Sequence, residues 1–161
     1  MNPGKQFEDD FKKSVPKEVY YLRLHDSAIG FDIENSTQRF ALQSPYDVVL
    51  CNKGRMYALE LKSTKDKSFS FSGKTPKIKP RQVDELIKAE NSNAIAGLVL
   101  NFREQVETYF IKASEFKNFM EMSSKKSINI AEVRKIGTLL PCRKLQVHYR
   151  YDLDVLLQMG R

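Results

Sequence analysis

Asp47 and Glu60, with twelve residues between them, and Lys62 two positions further on are the side chains whose types and spacing suit phosphate chemistry. Two carboxylates can share a divalent cation, and an ammonium beside them can counter charge on a phosphoryl group. All three must reach one point, and the local sequence offers a way. Tyr46 to Cys51 and Met56 to Leu61 are short β-prone runs on either side of Asn52-Lys53-Gly54, which is hairpin chemistry. Side chains alternate faces along a strand, so Glu60 and Lys62 share one face while Leu59 and Leu61 take the other. A loop with an even number of residues sets Asp47 directly across from Glu60, with Cβ atoms roughly 4.5–5.5 Å apart. An odd loop without a bulge puts the two acids on opposite faces. Like charges directly opposite destabilise a bare hairpin, so a bound cation is the more economical explanation of the pair. The competing reading is a solvated hairpin face, and spacing alone does not separate the two.

The flanking residues do. Between Lys62 and Arg81 stand seven basic residues (Lys62, Lys65, Lys67, Lys74, Lys77, Lys79 and Arg81) against the single acid Asp66. Seven less one is +6, nearly the whole of the chain's net charge of +7, immediately after the acidic hairpin. The same stretch carries Phe69 and Phe71 among serines and a glycine. Phosphate attraction with base or sugar stacking accounts for that mixture, and so does a solvated loop with two rings tucked into the core. Adjacency to the acids favours DNA as the partner of the basic loop, residues 63–79.

At 161 residues the chain has the length of one domain with a sizeable core, and residues 1–161 are read as a single unit without internal repeats. Cys51 and Cys142, unclustered and without a signal peptide, point to free thiols in a reducing, cytoplasmic setting. No apolar run approaches the roughly 20 residues that a membrane span requires. His25 and His148 stand apart, so neither a zinc site nor a histidine-assisted nucleophile is indicated.

The elements that must position the acids form an α/β unit. Asn2 and Pro3 suit the start of a helix whose stripe is Phe7, Phe11 and Val15, with Glu8 beside it and able to face the site. Val19 to Leu24 reads as a strand, and His25 to Gln38 as a polar, irregular excursion. Pro80 starts a second helix to about Asn91, burying Val83, Leu86 and Ile87, and Gln82 in its first turn can reach a nearby site. Ala94 to Phe102 and Glu107 to Lys112 are strands, Ser114 caps a helix through Met122, Asn129 a short one ending at Gly137, and Asp152 one through Met159. The sum is a central mixed β-sheet flanked by helices.

The ordered set Asn2-x-Gly4-Lys5-x-Phe7-Glu8, Asp47, Lys53-Gly54-Arg55-x-Tyr57, Glu60-x-Lys62-x-Thr64, Phe69 and Phe71, Gln82 and Lys126-Ser127-Ile128 resembles the RecU-type Holliday-junction resolvases of the PD-(D/E)xK nuclease superfamily. The resemblance implies a restriction-endonuclease-like core and a homodimeric, magnesium-dependent endonuclease, with manganese able to substitute and no small-molecule cofactor. Its partner would be branched DNA, nicked in two opposed strands of a four-way junction. It also implies that Asp47, Glu60 and the carbonyl of Leu61 are metal ligands, and that Lys62 orients or activates the attacking water. Glu8 and Gln82 would assist, Thr64 would contact the scissile region, and Lys5 would join Lys65, Lys67, Lys74, Lys77, Lys79 and Arg81 on DNA.

The chain departs from that pattern in three places. It begins almost at the Asn-x-Gly-Lys motif, without a basic arm before it, and Arg81 stands where a histidine usually precedes the glutamine. Residues 25–46, which hold Asp26, Asp32 and Glu34 as well as Arg39, form a shorter stalk or junction-contacting segment than the family's. So compact a version suits a phage-encoded enzyme acting in the cytoplasm of its host. A restriction-like or branch-trimming nuclease of the same superfamily, or a non-catalytic DNA-binding module of the same fold, remains open at this point.

Overall fold

The spine of the fold is the acidic hairpin. The structure, a computed structural model, describes residues 2–33 and 36–159, those of 27–33 and 36–42 by their backbone. Strands β4 (Val48–Asn52) and β5 (Arg55–Thr64) run antiparallel and pair Asn52 with Arg55 across the two-residue turn Lys53-Gly54. Both turn residues have positive φ, 50° and 76°, as the hairpin turn that matches strand twist demands, and glycine at the second position meets that without strain. Two is even, and the ladder runs from Asn52 opposite Arg55 to Val48 opposite Leu59; Asp47, just before β4, closes its end with its amide donating to Leu59 O.

The other strands extend this hairpin into a six-stranded mixed sheet. Strand β1 (Tyr20–Arg23) lies antiparallel to β4 at one edge. On the other side β7 (Ile95–Phe102) runs parallel to β5, β8 (Glu107–Lys112) antiparallel to β7, and the short β10 (Thr138–Leu139) closes the far edge. The order is β1-β4-β5-β7-β8-β10. A parallel neighbour requires a crossover, and α2 (Pro80–Asn91) supplies it, starting at Pro80 as its fixed φ favours.

Helices cover both faces of the sheet. On one, Ala58, Leu98 and Leu100 pack with Val83 and Leu86 of α2, Phe116 of α3 (Ala113–Met122) and Val133 of α4 (Ile130–Ile136). On the other, Leu59, Val99 and Phe110 pack with Phe7 and Phe11 of α1 (Pro3–Ser14) and Leu156 of α5 (Asp154–Leu157). Each such buried side chain contributes roughly 1.5–3 kcal/mol by leaving water. Alternation along β5 therefore sends Glu60 toward α2 and leaves Leu59 and Leu61 toward α1, as strand periodicity requires.

Three two-stranded ribbons complete the molecule. The segment expected to be irregular from His25 to Gln38 is a hairpin, β2 (Ser27–Ile33) with β3 (Ser36–Leu42), separate from the main sheet. Glu34 lies outside the described residues, as do the side chains of Asp32 and Arg39. In the second ribbon β6 (Ser68–Ser70) pairs with β9 (Ser127–Asn129), setting Phe69 opposite Ile128. The third, β11 (Cys142–Lys144) with β12 (Tyr149–Tyr151), lies along α1.

Local chemistry explains the helix ends. Asn2 caps α1 through the Gly4 amide, and Asn129 and Glu132 form a reciprocal capping box on α4. Two expected caps are corrected. Lys112 precedes α3, and Ser114 lies inside it, its amide and hydroxyl both donating to Glu90. The last helix begins at Asp154, with the Asp152 carboxylate accepting the Asp154 amide just before it, and ends at Leu157. Among the described residues no helix is long and apolar enough to cross a membrane.

Candidate active site

Glu60 is a carboxylate in a place where carboxylates are costly. It is 1 % exposed because α2 covers its face of β5, and it survives there through two donors. Lys62 Nζ lies 2.8 Å from Glu60 Oε1, and the Gln82 side-chain amide donates to the same oxygen in a short hydrogen bond. Gln82 Oε1 in turn accepts the Lys79 amide, which fixes the amide's orientation at the start of α2. The second oxygen, Glu60 Oε2, is buried and has no hydrogen-bond partner among the described residues. Burial and the neighbouring Asp47 carboxylate push Glu60 up to about 7, against the opposing pull of Lys62.

Asp47 is held from three directions. Its Oδ2 accepts the Leu61 amide at 2.9 Å and its Oδ1 accepts Arg23 Nη1 at 3.1 Å. Its own backbone is tied to both neighbouring strands, the amide donating to Leu59 O and the carbonyl accepting from the Leu24 amide and Arg23. Arg23 joins this site to α1. Its Nε and Nη2 donate to Glu8 Oε2 at 3.1 and 2.8 Å, so one planar guanidinium bridges the two acids. Glu8 therefore belongs to the site through Arg23. Arg23 went unnoticed in the sequence; an arginine between Leu22 and Leu24 in a strand was its only signal.

The acids open onto a polar cleft of about 150 Å³ that also brings in Lys79, Arg81 and Gln82. Arg81 Nη2 donates to Ser44 O, while the Ser44 amide donates to Asp26, so the start of α2 is tied to the strand leading into Asp47. The basic stretch thus begins and ends at the site.

The basic loop is more ordered than its composition suggests. Lys65, Lys67, Lys74 and Lys79 are exposed, as is Lys5 on α1. Lys77 is pinned: its Nζ lies 2.5 Å from Asp66 Oδ2 and donates to Thr64 Oγ1 at 2.7 Å. Thr64 is 3 % exposed, so its hydroxyl anchors Lys77 from beneath, in place of the expected direct contact with a substrate. Phe69 and Phe71 are 0 % and 4 % exposed. Their rings pack edge-on against Phe102 at 5.1 Å and against Phe116 at 5.9 Å. Stacking on nucleic-acid bases is excluded for this pair, because β6 and β9 draw the rings into the core.

A divalent cation fits the residues at the site. Among the described residues no three His, Cys, Asp or Glu side chains form a complete cage. Magnesium does not require one, since it keeps several waters and takes one or two carboxylates. Asp47 offers a partly exposed carboxylate, and Glu60 Oε2 is a buried carboxyl oxygen without a hydrogen-bond partner among the described residues.

Known proteins resemble this chain in sequence and in fold. A family model described as RecU, Recombination protein U, matches residues 11–155. The SPbeta prophage-derived uncharacterized protein YotM of Bacillus subtilis (strain 168) is 33% identical over 170 residues, covering 96% of this chain and 85% of that protein. Among solved structures, Archaeoglobus fulgidus Hjc, a Holliday junction resolvase from an archaeal hyperthermophile, is similar with a TM-score of 0.53 and 19% identity. The match covers 84% of this chain and 95% of that one. The six-stranded mixed sheet flanked by helices is the restriction-endonuclease-like α/β core.

Proposed function

This chain belongs to the recombination protein U family, and we propose that it is a metal-dependent, structure-specific endodeoxyribonuclease that resolves four-way DNA junctions by paired symmetric nicks. The observation that carries the reading is the convergence of Asp47 with a buried Glu60 that has one oxygen on Lys62 and Gln82 and the other unpartnered. A merely structural acid pair would be satisfied by protein donors on all its buried oxygens.

Asp47, Glu60 and the carbonyl of Leu61 are the residues to hold the cation, with magnesium the natural occupant and manganese a substitute. When bound it supplies positive charge against the phosphoryl oxygens and a more acidic water. The chain's own residues do the rest. Arg23 and the Leu61 amide fix the Asp47 carboxylate before substrate arrives, so no reorganisation is needed at the moment of reaction. Gln82 fixes Glu60 and leaves Oε2 facing away from its donors. Lys62, half-buried beside Glu60, would oppose the growing negative charge of the reacting phosphate as an ammonium, or accept a proton of the attacking water as the neutral amine. Glu8, through Arg23, balances the charge that Arg23 brings to Asp47.

The DNA path follows the exposed cations. Lys79 and Arg81 at the cleft and Lys65, Lys67 and Lys74 on the loop would take phosphates flanking the cut, with Lys77 holding the loop's shape and Lys5 adding charge from α1. The β2–β3 ribbon, which leads directly into Asp47, is suited to touch the junction centre. Two nicks in opposed strands require two such sites, so the working form is a homodimer. Its similarity to a prophage-derived protein suits a phage genome and the cytoplasm of a bacterial host.

The test is cleavage of a mobile four-way junction beside linear duplex and flap DNA of the same sequence, with magnesium. Nicks at symmetric positions in opposed strands of the junction, with the linear duplex intact, are expected. Equal cutting of linear duplex assigns the chain to the restriction-like class.

A further inference from the structure

The β11–β12 ribbon carries a second like-charged pair, and it faces solvent. Arg143 stands directly opposite Arg150 in the antiparallel register, with Cys142 opposite Tyr151 and Lys144 opposite Tyr149 on the flanking positions. Tyr151 is buried, so alternation puts Arg143 and Arg150 on the other face, Arg143 exposed and Arg150 half-buried. Opposed residues on one face have Cβ atoms roughly 4.5–5.5 Å apart, and like charges placed so are destabilising. Residues 142–151 hold Arg143, Lys144 and Arg150 and not one Asp or Glu; the nearest acid in the chain, Asp152, lines the same cleft, and one of its carboxylate oxygens accepts the Asp154 amide. Among the described residues neither arginine has a carboxylate partner, and Arg150 Nη1 instead donates to the backbone carbonyl of Lys13. Both line a shallow surface cleft of about 270 Å³.

The ribbon is held too firmly for the pair to splay apart. Tyr149 N and His148 Nδ1 lie 3.0 and 2.7 Å from the carboxylate of Asp10, which is 2 % exposed. Gln6 donates to Val147 O, and Tyr151 N donates to the Ser14 hydroxyl. These bonds come from the flank of α1 that bears Gln6, Asp10 and Ser14, whereas Glu8 reaches Arg23 and the catalytic acids from another. Helix α1, about 10–12 Å across with its side chains, thus stands between the Arg23–Asp47 cluster and the ribbon.

We propose that Arg143 and Arg150 form a phosphate clamp that grips the backbone of a duplex arm on the far flank of α1 from the catalytic acids. Two guanidinium groups side by side present several donors to one anionic oxygen set, and arginine suits phosphate through its planar fork. The exposed Lys13, on the α1 turn that receives Arg150, adds charge at the same place. The partner, a DNA arm, rests on the resolvase reading above; the clamp chemistry rests on the ribbon itself.

Arg143→Glu separates the alternatives, because it converts the opposed like charges into an opposed ion pair. Thermal unfolding should show an unchanged or raised midpoint, while affinity for a four-way junction, measured by fluorescence anisotropy in EDTA, falls roughly fivefold or more. The slope of log affinity against log salt should become shallower by about one. Arg143→Gln should give a smaller loss in the same direction. Unchanged affinity and slope in both variants overturn the clamp, whether or not the wild type cleaves. If the wild type fails to cleave junctions yet binds them through Arg143, the resolvase reading falls and the clamp stands.

Discussion

Two hairpins of this protein set like charges across from one another, and they differ in what surrounds the pair. Asp47 and Glu60 sit at the mouth of β4–β5, where α2 strips water from Glu60 and burial drives its protonation up to about 7. Arg143 is exposed and Arg150 half-buried on β11–β12, where water and salt still weaken their repulsion and the charge is permanent. In the proposed function this first pair, with Glu60 buried and Asp47 partly exposed, is the place for a compact divalent cation. The exposed pair is an undemanding one, able to take and release a phosphate. Desolvation makes the first selective and the second merely attractive.

The largest effect should come from removing charge at the buried pair. Asp47→Asn or Glu60→Gln should reduce magnesium-dependent cleavage on the order of a thousandfold or more. Binding of junction DNA, measured in parallel by anisotropy, should stay within a few-fold. A variant that loses binding as well as cleavage would merge the two regions into one surface and break the distinction between them.

The pH dependence of the metal-free fold sharpens the same contrast. Glu60 is raised in the fold from an ordinary value of 4.5 to about 7. The folded state then binds the proton more tightly than the unfolded chain, so stability is lost as pH climbs through that window. Metal-free protein should unfold more easily at pH 8 than at pH 5.5, with a Glu60 contribution on the order of a few kcal/mol. Magnesium should raise the thermal midpoint more at pH 8 than at pH 5.5. Glu60→Gln should flatten the pH dependence and erase the magnesium shift, whereas Arg143→Glu should leave both as they are.

Smaller effects belong to the groups that orient the acids. Arg23→Ala frees Asp47 and Glu8 together and should cost about 10- to 100-fold in cleavage, by the precedent of groups that orient metal ligands. Gln82→Ala should cost roughly tenfold. Both losses should soften when the magnesium concentration is raised, because the carboxylates themselves remain. Phe69→Ala should lower stability by about 3–5 kcal/mol through the cavity it leaves. Its DNA affinity, measured well below the new melting point, should match the wild type, since the ring packs edge-on against Phe102 and not on a base.

How far the chain could be read without coordinates follows the same division between local and distant causes. The β4–β5 register that brings Asp47 near Glu60 was legible because it depends on one turn, and Lys53-Gly54 is a two-residue turn by its own chemistry. The starts of α1, α2 and α4 were legible for the same reason, through Asn2-Pro3, Pro80 and Asn129. Arg23 was not, because its value lies in contacts with Glu8 and Asp47, fifteen and twenty-four residues away. Phe69 and Phe71 were ambiguous until the strand at Ser127–Asn129 paired with β6 and drew them inward. The β2–β3 ribbon did carry a period-two signal in Ile29, Phe31 and Ile33, outweighed by the polar residues around it. The unpartnered Glu60 Oε2 is legible only in three dimensions, since it depends on which donors α2 does and does not supply.

The most direct measurement is junction cleavage by the wild type and by Asp47→Asn, each with magnesium and with EDTA, on one four-way substrate labelled in opposed strands. Paired nicks by the wild type with magnesium only, and none by Asp47→Asn although it still shifts the junction in a gel, are the expected result. Metal-dependent nicking retained by Asp47→Asn would contradict the assignment of this hairpin as the active site.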